Sequence, residues 1–225
     1  MVSPRRPFVV REHVPLHSLC TLGVGGPARW FARADRSEDV RAIHQWCADH
    51  DVPLFVLGGG SNLVVSDDGF DGLVLSMAVT GVTMAKTSGA TIVSAGAGES
   101  WDQLVESVVG HGLSGVECLS GIPGTVGGTP IQNVGAYGQE VSSVIERVVA
   151  FDRTSAELLE MSPADCRFSY RMSRFKADDA GRFIVCGVSF RLADSTPALS
   201  YPDLAAELER RAVRDPLPLD GRGQP

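Results

Sequence analysis

Two glycine-rich segments contain the residues whose types and spacing best suit ligand binding. The first is Gly58-Gly59-Gly60-Ser61-Asn62, which directly follows the apolar run Pro53–Leu57. Three consecutive glycines allow backbone N–H groups to converge on an anion, and Ser61 and Asn62 offer further donors from their side chains. Taken alone, the segment is explained equally well as an ordinary glycine turn.

The second segment spans residues 121–138 and combines much glycine with little charge. Its two parts are Gly121-Ile122-Pro123-Gly124-Thr125-Val126-Gly127-Gly128 and Gln132-Asn133-Val134-Gly135-Ala136-Tyr137-Gly138. Such a stretch is too apolar for a solvated linker and too rich in glycine for a core element. Because glycine lacks the side chain that keeps a backbone at a distance, we expect an extended, ordered loop against a flat ligand. A purely structural Ω-loop is the alternative.

A cluster of polar and basic residues lies at residues 166–176, with four cations, one tyrosine and two serines in eleven positions. Arg171 is suited to bind a carboxylate or phosphate through two parallel hydrogen bonds. A run of charges is more often a solvated strand edge, but three aromatic residues embedded in the cluster weaken that explanation. Tyr201, further along the chain, is uninformative from composition alone.

Two other glycine patterns lack the context that their chemistry requires. The residues Gly110-His111-Gly112-Leu113-Ser114-Gly115 match the dinucleotide fingerprint literally, but a helix ends there where the fingerprint needs a strand before it and a helix after it. The segment Gly23–Ala28 fits the looser form of the fingerprint, but a strand follows it, so we predict a hairpin. The sequence contains no phosphate-binding G-x-x-x-x-G-K-[ST] motif.

Composition excludes several classes of protein. The 225 residues include 20 basic and 27 acidic side chains, a net charge of −7, which gives little support for binding a nucleic acid backbone. No apolar run approaches the roughly 18 residues of a membrane span. The five cysteines are an odd number without a C-x-x-C pair, which argues against a disulfide framework or a zinc site and favours a reducing cytoplasm.

Periodicity predicts a mixed α+β protein of two small units without internal repeats. Residues 1–15 are expected to be a loose lead-in, and a strand, a glycine turn and a second strand are expected between Thr21 and Ala34. A helix capped by Asp35 or Ser37 is expected to reach about His50. Further strands are predicted at Pro53–Leu57, Leu73–Ser76, Thr91–Ala95, Val144–Phe151, Glu157–Met161 and Phe183–Leu192.

The strongest helix signal begins at Ser100, where Ser100-x-x-Gln103 forms a capping-box pattern. A stripe at helical spacing follows and Gly112 ends it; its members are Trp101, Leu104, Val105, Val108 and Val109. A last helix is predicted at Asp203–Arg214, with a disordered tail after it.

Taken together, these motifs resemble the UDP-N-acetylenolpyruvoylglucosamine reductase family. The resemblance runs from about Pro15 to about Leu204. It rests on both glycine segments and on Thr21-Leu22-Gly23-Val24-Gly25-Gly26-Pro27-Ala28, Gly96-Ala97-Gly98-Glu99 and Ser169-Tyr170-Arg171-x-Ser173-x-Phe175-Lys176. The family's flavoenzymes use FAD and NADPH to complete UDP-N-acetylmuramate for peptidoglycan, and so serve cell wall biogenesis, cell shape and cell division.

The resemblance implies an FAD-binding fold of the p-cresol methylhydroxylase type with two α+β subdomains, at residues 16–78 and 79–196. It implies that Gly58, Gly59, Gly60, Ser61 and Asn62 hold the FAD pyrophosphate together with Pro123, Gly124, Thr125, Gly127 and Gly128. Asn133, Gly135, Ala136 and Tyr137 are expected to lie along the flavin.

For catalysis, the resemblance implies that NADPH reduces the flavin and that hydride then passes to the vinyl carbon of a UDP-sugar enolpyruvyl substrate. Arg171 matches the arginine that stabilises the resulting enolate, and Tyr170 and Tyr201 are expected to contact the substrate. The family continues into a substrate domain with a G-S-F-F serine and a later glutamate. Neither occurs in these 225 residues, in which residues 197–225 are expected to be a remnant of that domain.

We therefore expect poor turnover or none from this chain alone. A catalytically silent FAD-binding fragment and another flavin oxidase of the same fold are the alternatives. Sequence does not decide the oligomeric state.

Overall fold

The computed structural model describes residues 8–194 and 202–211, which form two larger sheets, one two-stranded sheet and four α-helices. The strands are β1 (Val10–Pro15), β2 (Pro27–Ala34), β3 (Leu54–Leu57), β4 (Phe70–Met77), β5 (Val82–Thr87), β6 (Ala90–Gly96), β7 (Gly135–Ala136), β8 (Gln139–Glu140), β9 (Ile145–Asp152), β10 (Glu157–Met161) and β11 (Phe183–Ala193). The helices are α1 (Ser37–Asp49), α2 (Trp101–Gly110), α3 (Pro163–Cys166) and α4 (Pro202–Arg210).

The first sheet has the strand order β1-β2-β4-β3, in which β4 runs parallel to both of its neighbours and β1 is antiparallel to β2. The expected lead-in is therefore wrong, because residues 10–15 form an edge strand. The strand predicted at Thr21 is also wrong, since Thr21 and Leu22 lie in a turn and β2 pairs with β1 instead. Strand β1 lies at the edge of the sheet, where charged side chains are common. Its sequence therefore lacks the apolar pattern that would mark a strand.

Helix α1 covers one face of this sheet and buries Val40, Ile43 and Cys47. Its N-cap is Arg36 rather than either predicted residue. The Asp39 carboxylate replaces a capping side chain, because it accepts the backbone N–H of Asp35 at 3.1 Å and that of Arg36 at 2.9 Å.

The second sheet is antiparallel throughout, in the order β10-β9-β11-β6-β5. The strands predicted at Thr91–Ala95, Val144–Phe151, Glu157–Met161 and Phe183–Leu192 are confirmed to within one or two residues. Strand β5 was not predicted. All six of its residues are exposed at the sheet edge, so no alternation of buried and exposed positions marks it.

Helix α2 confirms the predicted stripe, because all five of its residues are buried. The indole of Trp101 also donates a hydrogen bond to the carbonyl of Leu119 at 3.0 Å. Ser100 is the N-cap, but its side chain makes no capping hydrogen bond, so the predicted capping box is not formed. Gly112 follows the helix with a φ of +75°, a conformation that ends helices and that glycine adopts without strain.

A single hydrophobic core extends across both sheets. It joins Leu73 and Leu75 of the first sheet to Val93 and Phe151 of the second. A smaller cluster around Phe31 lies on the opposite face of the first sheet. The strands of the first sheet fall within residues 10–77 and those of the second within 82–193, while the division into subdomains at 78/79 stays a prediction.

Helix α4 agrees with the predicted helix at Asp203–Arg214, although residues 212–225 and Tyr201 lie outside the described residues. Among the helices of the described ranges, none has the length and apolar character needed to cross a membrane.

Candidate functional site

The first glycine segment follows β3 and is wedged between two stretches of backbone. A methyl group on Gly59 would lie 2.9 Å from Cα of Gly124, and one on Gly60 would collide with the carbonyl of Leu19. Gly60 also has a φ of +65°. Glycine is therefore required at both positions, for close approach at Gly59 and for approach and conformation together at Gly60.

The second glycine segment packs on the end of β6 and the start of α2. The N–H of Trp101 donates to the carbonyl of Gly124 at 3.1 Å, and the N–H of Gly127 donates to the carbonyl of Ala97 at 2.9 Å. A methyl group on Gly127 would lie only 2.7 Å from Cβ of Ala97. Main-chain hydrogen bonds thus order the loop, as the sequence predicted, but the expected extended conformation is wrong, because Val126–Gly128 form a turn of 3-10 helix.

Two side-chain hydrogen bonds join the glycine segments. The hydroxyl of Ser61 donates to the carbonyl of Pro123 at 3.2 Å, and the amide of Asn62 donates to Oε1 of Gln132 at 3.3 Å. We call the two joined stretches, Gly58–Asn62 and Pro123–Gly128, the cradle.

The cradle borders a cavity of about 560 Å³, within the range of about 300–1,000 Å³ typical of small-molecule sites. The sequence resemblance assigns ten residues of the cradle to FAD, and all ten line this cavity: Gly58, Gly59, Gly60, Ser61, Asn62, Pro123, Gly124, Thr125, Gly127 and Gly128. The other walls come from β3, from Ile131 and Gln132, and from the start of β11.

The charge of this cavity is opposite to that of the chain. Arg153 and Lys176 line it, and no aspartate or glutamate does so among the described residues. A site with two cations, exposed glycine backbone and largely apolar walls suits a ligand that carries both phosphate groups and flat rings. The residues present therefore fit FAD.

Arg153 is a cavity residue that sequence reasoning missed. It directly follows β9, where no motif marks it, and its guanidinium donates to the carbonyl of Gly181 at 2.8 Å. Arg153 also lines a second cavity of about 160 Å³ beside His44 and Cys47. Burial lowers the pKa of the His44 imidazole and raises the pKa of the Cys47 thiol to about 11, so both groups are uncharged at neutral pH.

The four predicted flavin neighbours after the cradle are not among the cavity-lining residues. Gly135 and Ala136 form β7, which pairs with β8 through a two-residue turn. Tyr137 and Gly138 occupy that turn, both with positive φ, as in the turns that suit tight hairpins. Asn133 is fully buried and its amide bonds within the protein. Within residues 133–138, only Val134 lines the cavity.

Tyr170 and Arg171 lie at the tip of a tight turn, residues 169–172. Ser169 and Met172 exchange two backbone hydrogen bonds, of 3.0 and 3.1 Å. The side chain of Tyr170 is 81% exposed, and Arg171 is exposed beside it. The Lys176 ammonium donates to the Arg171 carbonyl at 3.4 Å, which links the turn to the cavity wall. Tyr201 lies outside the described residues.

An ion-pair network stabilises the chain that follows this turn. Arg182 bonds the buried carboxylate of Asp152 at 2.7 Å and that of Asp179 at 3.2 Å, and Arg174 bonds Asp179 at 2.7 Å. The hydrogen bond from Arg182 holds the pKa of Asp152 down to about 2, which keeps that carboxylate ionised. Both arginines also stack on Phe183, a cavity residue, so the network supports the cavity wall.

All five cysteines lie within the described residues, and each is a free thiol. Burial raises the pKa of Cys166 to about 12 and that of Cys186 to about 11. In residues 8–194 and 202–211 no group of three or more histidine, cysteine or acidic side chains is arranged to hold a metal ion.

Comparison with known proteins identifies the family. The family model of an FAD binding domain matches residues 28–158 of this chain. The chain belongs to that family. The matched residues contain both parts of the cradle and Arg153.

The UDP-N-acetylenolpyruvoylglucosamine reductases are similar over nearly the whole chain. That of Streptomyces avermitilis is 45% identical over 221 residues, which are 95% of this chain and 59% of the relative. That of Thermobifida fusca is 45% identical over 88% of this chain and 55% of its own length. The resemblance seen in the sequence is thus confirmed, and the chain spans little more than half the length of these relatives.

Two solved structures have the same fold. The UDP-N-acetylenolpyruvylglucosamine reductase of Thermus caldophilus superposes with a TM-score of 0.68 at 30% identity, over 93% of this chain and 71% of that one. Cholesterol oxidase of Brevibacterium sterolicum superposes with a TM-score of 0.58 at 17% identity, over 86% and 39% of the two chains, and supports the fold alone. The expected α+β fold of the p-cresol methylhydroxylase type is confirmed, and FAD is its cofactor.

Proposed function

We propose that this chain is the FAD-binding part of an NADPH-dependent reductase that converts UDP-N-acetylglucosamine enolpyruvate into UDP-N-acetylmuramate for peptidoglycan synthesis. The observation that carries the proposal is the cavity itself. It combines a glycine cradle, two cations and no carboxylate among the described residues, and it adjoins a turn that presents a tyrosine and an arginine.

The cradle binds the pyrophosphate of FAD through main-chain N–H groups and through Ser61 and Asn62. Arg153 and Lys176 add positive charge in a cavity whose limited water strengthens their attraction for phosphate. FAD held there would supply the hydride transfer from NADPH to the vinyl carbon of the substrate. Asn133, Gly135, Ala136 and Tyr137 support the wall of this cavity from behind, through the segment whose Val134 lines it.

The turn at residues 169–172 supplies the charge that the reduction requires. When hydride reaches the vinyl carbon, negative charge develops on the neighbouring carbon and its carboxylate, and uptake of one proton at that carbon completes the reduction. The planar guanidinium of Arg171 binds that carboxylate and stabilises the charge as it forms, which makes Arg171 the catalytic residue of this chain. Tyr170 and Tyr201 contact the substrate.

A second candidate function is FAD binding without turnover. The exposure of Tyr170 and Arg171 favours it, because the described residues provide nothing that covers the turn and excludes water from a substrate held there. We propose the cytoplasm as the location under both candidates, since thiols that stay unpaired are typical of a reducing compartment.

The test separates binding from turnover. The purified chain is loaded with FAD, its flavin absorbance is recorded, and NADPH oxidation is followed with and without the enolpyruvyl UDP-sugar. We expect a yellow protein whose NADPH oxidation rises slowly, or not at all, when the sugar is added. Any sugar-dependent oxidation supports the reductase, and its absence with FAD bound supports the silent domain.

Two results would contradict the assignment. A folded chain that stays colourless with FAD would reject both candidates. Rapid reoxidation of the reduced flavin by O2 with a carbohydrate donor, together with indifference to NADPH, would indicate an oxidase of the same fold.

A further inference from the structure

The turn at residues 169–172 is held in a conformation that its own residues do not favour. Arg171 has a φ of +54°, in the left-handed region that is unfavourable for a long side chain. A turn of this kind persists only when the surrounding structure fixes it. The contacts of its stem therefore decide where Tyr170 and Arg171 point.

The stem is bonded by Asn133. The amide nitrogen of Asn133 donates to the Ser169 carbonyl at 3.0 Å and to Oε2 of Glu140 at 2.9 Å. Its amide oxygen accepts the N–H of Ser142 at 3.1 Å. Both amide hydrogens are thus used inside the protein, and the residue is fully buried.

A second hydrogen bond joins the segment before Asn133 to the segment that follows the turn. The hydroxyl of Ser173, which is 1% exposed, donates to the carbonyl of Ile131 at 2.6 Å. Ile131 and its neighbour Gln132 line the cavity. The turn is therefore attached to the cavity wall on both sides, through Asn133 before its tip and Ser173 after it.

We propose that Asn133 is a positioning residue that fixes the 169–172 turn to the wall of the cofactor cavity, and does not itself contact the cofactor. The role of the turn rests on the proposed function, whereas the attachment does not. Asparagine suits the position on two grounds: it tolerates the φ of +45° found there, and its NH2 group donates to two acceptors at once. An aspartate could accept from Ser142 but could not donate to Ser169.

The test uses two variants that separate the turn from the rest of the network. Asn133→Gly keeps the backbone conformation accessible and removes the amide. The exchange Asn133→Asp with Glu140→Gln keeps the net charge of the chain. The new amide at position 140 donates to the new carboxylate at position 133, which still accepts the N–H of Ser142. An oxygen at position 133 now faces and repels the Ser169 carbonyl, while the bonds to positions 140 and 142 remain, so a merely structural role would be rescued by the exchange.

The first measurement is the rate at which trypsin cleaves after the exposed Arg171, relative to cleavage after Arg147, followed by mass spectrometry in the chain without FAD. The second is the dissociation constant for FAD, from flavin fluorescence. Ser143→Ala is the control, since the Ser143 hydroxyl bonds the Glu140 carbonyl in the same segment without touching the turn.

We expect both Asn133 variants to raise relative cleavage after Arg171 at least fivefold, with the FAD dissociation constant changed by less than threefold and the control unaffected. Unchanged cleavage in either variant overturns the proposal, and so does a tenfold loss of FAD affinity. If Asn133→Gly fails to fold, Ser173→Ala is judged by the same criteria. A wild-type chain that binds no FAD would reject the proposed function, while the cleavage ratio would still test the attachment.

Discussion

The cradle presents mainly backbone to its ligand, whereas the 169–172 turn presents side chains. The cradle is mostly glycine main chain, and at Gly59 and Gly60 neighbouring backbone already occupies the space that a methyl group would need. The turn presents two long side chains to solvent, and it is fixed at its stem by Asn133 and Ser173 and at its tip by the hydrogen bond from Lys176 to the Arg171 carbonyl. A backbone site is complete once the chain folds, whereas a side-chain site needs further groups around it before its charge acts in a dry environment. Cofactor binding and substrate chemistry should therefore respond to different substitutions.

The largest effect is expected where the cradle is tightest. Gly59→Ala places a methyl group 2.9 Å from Cα and 3.2 Å from the carbonyl carbon of Gly124, and neither atom can rotate away. We expect the FAD dissociation constant to rise about 100-fold, equivalent to roughly 3 kcal/mol. Flavin fluorescence titration measures it. Gly110→Ala is the control, because a methyl group there meets no atom within 4 Å. Equal affinity in the two variants would mean that the cradle does not hold the cofactor.

A substitution in the 169–172 turn should spare FAD binding and weaken substrate binding. Arg171→Gln removes the guanidinium from an exposed tip, so we expect FAD affinity to stay within about twofold. Binding of the enolpyruvyl UDP-sugar to the FAD-loaded chain, followed by the change in flavin absorbance, should weaken about 10- to 100-fold, as expected for a lost charge-assisted hydrogen bond. Arg167→Gln, which breaks only the exposed ion pair with Asp178, is the matched control. A large loss of FAD affinity in Arg171→Gln would contradict the division of cofactor binding and substrate binding between the cradle and the turn.

Arg153 tests whether side-chain charge matters in the cavity at all. Arg153→Gln should weaken FAD binding about tenfold at low salt and less at high salt, because the lost contribution is electrostatic. Isothermal titration at two ionic strengths measures both numbers. Arg147→Gln removes the same charge from an exposed pair with Glu160. If Arg153→Gln and Arg147→Gln weaken FAD binding equally, the effect comes from the net charge of the chain and not from the position of Arg153 in the cavity.

The smallest expected effect is on stability and its pH dependence. The Arg182 hydrogen bond depresses the pKa of Asp152 to about 2, below the usual value of about 3.9. This group thus contributes stability that is fully present above about pH 4 and is lost as the pH falls towards 2. Asp152→Asn should lower Tm by about 4 °C at pH 7 and by less as the pH approaches 2, measured by differential scanning calorimetry.

The control for this prediction is Asp71→Asn, which removes an exposed partner of Arg29. A constant difference in Tm between Asp152→Asn and the wild type from pH 7 to pH 2 would contradict the assignment of the pKa shift to folding.

Sequence alone predicted those elements whose signals are local. The α2 stripe, the strands with one buried face and the glycine segments follow from spacing and residue type. The edge strands β1 and β5 were missed because their residues are mostly exposed, so pairing with a neighbour and not burial defines them.

The site residues divide in the same way. Five of the six cradle glycines would bring a methyl group within 3.0 Å of another atom, so the run of glycines made the cradle visible in the sequence. The inward amide of Asn133 was not, because its partner Ser169 is 36 residues away. Arg153 gave no signal for the same reason: only the fold brings the end of β9 to the cavity.

The hydrophobic core that passes without interruption between the sheets has a thermodynamic consequence. Neither sheet can expose its inner face without also uncovering that of the other, so the two should melt together in one cooperative transition. A prosthetic group held between the end of β3 and the start of β11 touches both sheets. Its occupancy should delay that shared transition as a whole, by mass action, instead of protecting one half of the molecule.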